Sequence, residues 1–243
     1  MKQALFAVIF ASAVLAQTTP KSTAPAKSTT APKAAAPAPA PAADLLHPST
    51  LNRTAPAVYR VKFATTKGDI LIEVTRAWAP RGADRFYNLV RAGYFTAAAF
   101  YRVMPRFMAQ FGVSARPEVN QAFRGADILD DPRNAQSNKR GIVTFATTGR
   151  PNSRGTALFI NLVDNSYLDS QGFVPIGEVV EGMANADMLY NGYGDTSNQQ
   201  PGFENGGKAF VDSAYPKLDR ILTATIVPVP PAAPAAAPAA AKQ

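Results

Sequence analysis

The side chains that most enzymes use for nucleophilic, acid-base or metal chemistry are scarce in this chain of 243 residues, which has one histidine and no cysteine. The histidine, His47, lies in a stretch made largely of Ala, Pro, Thr, Ser and Lys. A Ser-His-Asp or Cys-His arrangement therefore cannot be built among residues 58–226, and zinc and haem sites lose their usual ligands there. We expect no metal and no other cofactor.

One pair of adjacent carboxylates remains, Asp130 and Asp131. Two carboxylates can hydrolyse a glycosidic bond only when they flank it from different directions, which adjacent loop residues rarely do. Because Pro132 follows directly, we interpret the pair as a turn signal.

A denser pattern of polar and aromatic residues is the segment FYRVMPRFMAQ, residues 100–110, followed by Gly112. Strand alternation places Met108 and Gln110 on the same face. Arg102 carries a permanently charged, planar hydrogen-bond donor that needs no acid-base partner. An arginine on a strand is by itself usually a solvated surface charge, so the type of residue alone does not assign a role.

The elements that position this segment begin with a hairpin and a helix. Residues 59–66 alternate apolar and polar side chains, and Lys67-Gly68 then turns the chain into the apolar-rich segment 69–74, which predicts a β-hairpin. From Ala79-Pro80 to Gly93, apolar residues recur at three- and four-residue spacing, which predicts a helix with one face on the sheet. Those apolar positions are Ala83, Phe86, Leu89 and Val90.

More strands are predicted at 99–104, 108–112, 141–147, 157–162, 173–179 and 221–227, with a second short helix at 181–189. Many short strands separated by Gly- and Asn-rich loops indicate a mainly β protein, a closed antiparallel barrel with helical caps.

Composition divides the chain into four parts. Residues 1–16 have a positive start at Lys2, an apolar run and a plausible cleavage site at residues 14–16, which is typical of a secretory signal. Residues 17–57 predict a disordered Ala/Pro/Lys-rich spacer, and residues 227–243 a disordered Pro/Ala tail. Residues 58–226 remain as one domain. We therefore expect a periplasmic or secreted protein with no integral membrane span after cleavage, and an uncleaved N-terminal anchor is the main alternative.

The net charge of +8 is concentrated at the ends of the chain. Six of the 25 basic residues and one of the 17 acidic residues lie outside residues 58–226, so that segment has a net charge of only +3. We expect no nucleic-acid partner.

The segment at 100–110 resembles the central motif of the cyclophilins. It is joined, in the order typical of that family, by GIVTFA at 141–146, RPNSRGT at 150–156, LFI at 158–160, YLD at 167–169 and FVPIGE at 173–178. The resemblance covers residues 58–226 and is closest to the bacterial exported type. It implies a closed eight-stranded antiparallel β-barrel capped by two α-helices, and a monomer.

The resemblance also implies an activity, peptidyl-prolyl cis-trans isomerisation, with proline-containing polypeptides as partners. It assigns catalysis to Arg102 and Gln110, in which Arg102 stabilises the twisted amide and no covalent or acid-base step is needed. It assigns substrate binding to Phe107, Met108, Ala146, Thr147, Phe159, Tyr167, Leu168 and Phe173.

Three positions depart from the family pattern. Ala157 stands where the family commonly has Gln, so we expect weaker peptide binding. Tyr167 replaces the Trp of cyclosporin-sensitive members and lacks the indole donor. Phe173 replaces a histidine found in many eukaryotic members.

Two alternatives to an isomerase of exported proteins stay open at this point. One is a proline-peptide binding or chaperone module with little turnover, which Ala157 would suit. The other is an adhesion or polyanion-binding protein in which the basic spacer carries the function.

Overall fold

A nine-stranded antiparallel sheet forms the framework of the computed structural model, which describes residues 45–133 and 135–230. Its strands run in the order β3-β9-β1-β2-β8-β6-β7-β5-β4. Their bounds are β1 Val58–Thr65, β2 Gly68–Thr75, β3 Ala98–Ala99, β4 Arg102–Val103, β5 Met108–Phe111, β6 Ile142–Phe145, β7 Leu158–Asn161, β8 Pro175–Glu181 and β9 Arg220–Val227.

The predicted hairpin is β1 and β2, which pair from Val58 opposite Thr75 to Thr65 opposite Gly68. Buried and less buried residues alternate along both strands, because successive side chains point to opposite faces. Gly68 has a φ of +111°, a conformation that a side chain would strain. Local pattern and turn chemistry agree here, and the prediction is confirmed.

Four α-helices lie among the described residues, together with 3-10 turns at Pro48–Thr50, Ser166–Gln171 and Ser197–Gln199. Their bounds are α1 Pro80–Arg91, α2 Pro117–Ala122, α3 Met183–Asp187 and α4 Gln200–Ala214. Helices α1 and α3 were expected. The expectation of only two helices was wrong, because α2 is short and the glycines of α4 hide its pattern; Gly207 even breaks the helical conformation, with φ at +50°.

The main core lies between the sheet and α1. Ala83, Phe86, Leu89 and Val90 of α1 are buried, as their spacing predicts. Phe86 meets Phe63 of β1 edge-to-face, with ring centroids 6.1 Å apart. Burial of this apolar face is what holds α1 on the sheet.

The two ends of the strand order, β3 and β4, belong to one stretch of chain and are separated only by Phe100 and Tyr101. A single strand was expected from residue 99 to 104. Instead, the Phe100 amide donates to the carbonyl of Asp219, 2.9 Å away, and pairing with β5 starts only at Arg102. The count of nine strands thus differs in detail from the eight that were expected.

Residues 45–57 lie against α1. The Arg53 amide donates to Oδ1 of Asn88 over 3.1 Å and the Ala55 amide to Oδ1 of Asp84 over 2.8 Å, while Leu45 is buried. The expected spacer, 17–57, therefore includes a packed segment at its end. The rest of it, the expected signal at 1–16 and the tail from residue 231 onward lie outside the described residues.

No helix in the described part of the chain is long and apolar enough to cross a membrane.

Candidate functional site

Arg102 and Gln110 face each other across β4 and β5, where they are register partners. Nη1 of Arg102 donates to Oε1 of Gln110 over 3.3 Å. The guanidinium carbon lies 5.9 Å from the centre of the Phe107 ring, within the range of a cation-π contact. The hairpin between β4 and β5 thus places a permanent cation beside an aromatic face.

A small apolar cluster, separate from the main core, adjoins this cation. Met108, Phe159 and Leu168 are buried in it, and Phe107, Ala146 and Phe173 pack around its edge. Gln110 lies opposite Phe159 in the pairing of β5 with β7. Met108 and Gln110 therefore present to the same face of the sheet, as the alternation predicts. We call this cluster with its edge residues the apolar pocket.

The 3-10 turn at Ser166–Gln171 closes one side of the apolar pocket. Leu168 is buried in the pocket, whereas Tyr167 is 56% exposed and its ring stacks on Phe107 at 6.5 Å. Phe173 meets Phe159 edge-to-face, with ring centroids 5.8 Å apart. The aromatic residues of the expected groove are therefore brought together.

Three buried asparagines hold the walls of the apolar pocket. Nδ2 of Asn165 donates to the Phe107 carbonyl over 2.9 Å and to Oδ1 of Asn161 over 2.8 Å. Asn138, which is fully buried, donates through Nδ2 to the Phe173 carbonyl over 2.8 Å. Because buried amides are costly unless they are paired, this network fixes the backbone on both sides of the pocket.

A polar cavity of about 250 Å³ continues from Gln110. It is lined by Gln110, Ala146, Thr147 and Ala157, and by Gln200 and Glu204 of α4. The amide of Ala146 donates to the carbonyl of Ala157 over 2.9 Å, so that amide is already used within the protein. The hydroxyl of Thr147 accepts from the Gly149 amide over 2.8 Å. Ala146 and Thr147 thus lie beside Gln110, as expected, with part of their polar surface occupied.

Gly112 allows the segment after β5 to approach the segment before β7 closely at the wall of this cavity. Its φ is +105°, and a Cβ there would lie 2.2 Å from the carbonyl oxygen of Thr156. Any side chain would collide with backbone, so the position requires glycine. The close approach brings Ala157 within reach of the cavity.

Asp195 is a site residue that sequence reasoning missed. Its carboxylate holds Arg102 with two hydrogen bonds, from Nε over 2.7 Å and from Nη2 over 2.9 Å. The hydrogen bonds from Arg102 lower the pKa of Asp195 to about 2. An acidic residue 93 positions away along the chain, in a glycine-rich loop, gives no local signal that could have identified it.

Within the described ranges, no three His, Cys, Asp or Glu side chains are grouped so that they could hold a metal ion. The side chains beside the apolar pocket are instead a fixed cation and an amide. Such an arrangement can bind an apolar ring and offer a hydrogen bond next to it.

Comparison with known proteins gives a consistent result. The family model described as cyclophilin type peptidyl-prolyl cis-trans isomerase matches residues 60–205. A peptidyl-prolyl cis-trans isomerase of Acinetobacter baylyi is 31% identical over 135 residues, which cover 54% of this chain and 71% of that protein. Peptidyl-prolyl cis-trans isomerase B of Escherichia coli is 32% identical over 136 residues, covering 53% of this chain and 82% of that protein.

Solved structures show the same fold. The cyclophilin AquaCyp293 from Hirschia baltica superposes with a TM-score of 0.51 at 18% identity, covering 71% of this chain and 75% of that one. A cyclophilin type isomerase from Cryptosporidium parvum gives a TM-score of 0.51 at 20% identity, covering 71% and 99%.

Proposed function

We propose that this chain, which belongs to the cyclophilin family of peptidyl-prolyl cis-trans isomerases, uses Arg102 as its central catalytic residue. The enzyme's reaction is the rotation of a peptide bond that precedes proline. The observation that carries the assignment is the position of the Arg102 guanidinium, which is held by Gln110 at the edge of an apolar pocket.

The barrier to this rotation is the loss of amide resonance, about 18–20 kcal/mol, and an uncatalysed X-Pro bond takes tens to hundreds of seconds to rotate. No bond is made or broken and no proton is transferred. The enzyme has only to bind the twisted amide more tightly than either planar isomer. A site without a nucleophile or a histidine can do this.

Arg102 suits that task because of what happens to the prolyl nitrogen. When the amide twists, the nitrogen becomes pyramidal and regains a lone pair, which can accept a hydrogen bond that the planar amide cannot. A charged guanidinium is a strong donor for it. Gln110 contacts the guanidinium directly and would orient it, or the rotating carbonyl, during the turn.

The apolar pocket would hold the proline ring while the other side of the bond rotates. Phe107, Met108, Phe159 and Leu168 offer the apolar surface, with Tyr167 and Phe173 as outer aromatic walls. Gripping one side of the bond removes a degree of freedom from the reaction. Ala146 and Thr147, at the cavity beside Gln110, would contact the peptide on the other side.

The test is prolyl isomerisation of the peptide Ala-Ala-Pro-Phe by the full chain and by Arg102→Ala. We expect kcat/KM to fall by about 100-fold, the loss typical of one donor that acts in the transition state. Exchange NMR gives the rotation rate of bound peptide separately from its affinity.

A matched control is Arg220→Ala, because Arg220 makes a comparable ion pair with Asp212 at 15% side-chain exposure against 19% for Arg102. It should keep the wild-type rate. If Arg102→Ala is as fast as the wild type, the assignment of Arg102 is wrong. If the wild type binds the peptide without accelerating its rotation, the alternative of a binding or chaperone module with little turnover is favoured.

We also propose that the enzyme acts on exported proteins, in the periplasm or outside the cell. The support is the sequence of residues 1–16, in which Lys2 precedes an apolar run and a small-residue cleavage site. N-terminal sequencing of the protein from the exported fraction of its host should show a chain that starts near residue 17. An uncleaved chain in the cytoplasm would contradict the proposal.

The remaining proposals concern the closure of the sheet and the oligomeric state. We propose that β3 and β4 act as one interrupted strand, so that the sheet closes as an eight-stranded barrel. We also propose that the enzyme works as a monomer. The support for closure of the sheet is that only two residues separate β3 and β4, the two ends of the strand order. Sedimentation of the full chain at assay concentration checks the oligomeric state.

A further inference from the structure

Arg102 is held by a carboxylate that the family motif does not contain. Asp195 accepts from Nε of Arg102 over 2.7 Å and from Nη2 over 2.9 Å, a bidentate pair. We infer that Asp195 is a positioning residue for the isomerase, which fixes the plane of the Arg102 guanidinium against the apolar pocket. The inference rests on the proposed role of Arg102.

The hydrogen bonds leave the guanidinium able to act. A guanidinium has five N–H donors. Asp195 takes one from Nε and one from Nη2, and Gln110 takes one from Nη1. Each terminal nitrogen therefore keeps one N–H without a partner among the described residues. A substrate can accept a hydrogen bond from the guanidinium without displacing Asp195.

Two acceptors on different nitrogens also prevent the guanidinium from rotating. Gln110 alone, at 3.3 Å, would leave the planar group free to turn about its long side chain. The bidentate contact to Asp195 fixes that plane. Since a hydrogen bond to the twisted amide must be well aligned to be strong, a fixed plane favours the transition state over either planar isomer.

Asp195 is itself held in place. Its Oδ1 accepts from the Ser197 amide over 3.0 Å. The neighbouring Thr196 is buried and its hydroxyl donates to the carbonyl of Tyr101, the residue directly before Arg102. The loop that carries Asp195 is thus tied to the strand that carries Arg102 at adjacent positions, so the two charged groups move as one unit.

Aromatic contacts anchor the rest of this loop. In the loop, the ring centroid of Tyr193 lies 5.1 Å from that of Tyr190 and 5.0 Å from that of Tyr215. The contacts continue through Phe203 of α4, whose ring centroid lies 4.9 Å from that of Tyr215 and 5.5 Å from that of Tyr101. Phe203 and Tyr101 are almost fully buried. These aromatic contacts bind α4 and the loop to the sheet just behind Arg102, which supplies the rigidity that positioning requires.

The test compares Asp195→Ala with the wild type in the full chain, with Ala-Ala-Pro-Phe as the probe. We expect the rotation rate of the bound peptide to fall by about 10-fold or more, with its Kd unchanged, because the donor stays but loses its alignment. Asp195→Asn, which keeps an oxygen acceptor for Nε, should recover part of the rate. In an Arg102→Ala background, Asp195→Ala should cause no further loss.

The matched control is Asp212→Ala, which removes a carboxylate of nearly equal exposure, 45% against 44%, from another Arg ion pair. It should leave the rate unchanged. The inference is overturned if Asp195→Ala keeps or exceeds the wild-type rate, if it slows the Arg102→Ala variant further, or if Asp212→Ala is equally slow. If the Arg102→Ala variant is as fast as the wild type, the assignment of Arg102 is wrong and this inference is wrong with it. If Arg102→Ala is slow but Asp195→Ala is fast, only the inference about Asp195 is wrong.

Discussion

The Asp131 carboxylate lies 2.9 Å from Nη1 of Arg154, and both side chains are almost completely buried. The same carboxylate accepts from the amides of Arg81 and Gly82, both over 2.9 Å, in the first turn of α1. Since Ala79, at the N-cap of α1, has no capping side chain, Asp131 supplies the cap from 50 residues away. A turn was expected before Pro132, but residues 129–133 form none in the structure; Asp131 instead links the start of α1 to Arg154.

We predict that Asp131→Asn destabilises the protein by about 3 kcal/mol, because it removes the buried carboxylate partner of Arg154 and leaves the guanidinium only the exposed Asp130, 3.4 Å from its Nε. Chemical denaturation of the full chain measures this. The adjacent Asp130 contacts Nε of the same guanidinium with a carboxylate that is 48% exposed, and Asp130→Asn should cost less than about 1 kcal/mol. If both substitutions lower the free energy of unfolding equally, the buried Asp131 does not have this special structural role.

Two buried leucines allow peptide binding to be tested separately from the stability of the fold. Leu158 lies in the main core and Leu168 in the apolar pocket, and both are buried. Leu158→Ala should destabilise the fold by about 2–5 kcal/mol. Leu168→Ala should cost less, yet it should lower kcat/KM by about 10-fold because the substrate ring loses a contact. Thermal unfolding and the peptide assay together decide the matter; a Leu168→Ala enzyme with full activity would show that the pocket does not hold proline.

The ion pair of Asp195 predicts a pH dependence of stability. The pKa of Asp195 is about 2 in the folded protein, against an ordinary value of 3.8. The folded state thus binds the proton less readily than the unfolded state, so the stabilisation is complete above about pH 4 and is lost as the pH falls toward 2. The contribution should be under about 1 kcal/mol, because the carboxylate is partly solvated.

The Asp195→Asn variant has no carboxyl group to titrate at this position. The Tm of the wild type minus the Tm of this variant, measured at each pH, therefore reports the stabilisation due to the Asp195 carboxylate. That difference should shrink between pH 4 and pH 2 and be constant from pH 5 to pH 8. A difference that grows on acidification would have the wrong sign.

Ala157 predicts a gain of affinity on substitution. A glutamine there would place an amide at the wall of the polar cavity, where it can bond to the peptide backbone. One added hydrogen bond contributes about 0.5–1.5 kcal/mol, so Ala157→Gln should tighten peptide binding by about 3- to 10-fold. Ala157→Leu adds similar bulk without the amide and should not improve binding; calorimetry with Ala-Ala-Pro-Phe distinguishes the two.

The parts of the fold that sequence predicted are those specified by nearby residues. The β1-β2 hairpin follows from alternation around Lys67-Gly68, and α1 from its apolar spacing after Pro80. Helix α4 could not be predicted, since it contains Gly202, Gly206 and Gly207 and depends on the burial of Phe203 against distant residues. Its stability comes from tertiary packing, which no local window contains.

The same division holds at the site. Arg102, Phe107, Met108 and Gln110 lie within nine residues of one another, and a contiguous motif identified them. Asp195 reaches Arg102 only after the chain has folded, and neither glycine nor aspartate in a loop marks such a contact in advance. Its role depends on a distance in space that the order of residues does not encode.

Arg102 lies on the short strand β4, at one end of the strand order, and β3, only two residues earlier in the chain, lies at the other end. The proposed catalytic arginine thus sits at the seam where the chain links the first and last strands. In a folding intermediate in which this seam is open, Arg102 and Gln110 would still pair across the neighbouring strands β4 and β5. Asp195, 93 residues away along the chain, would reach Arg102 only when its loop packs beside the seam, so a partly folded copy would hold the arginine and the glutamine without the carboxylate that fixes the guanidinium plane.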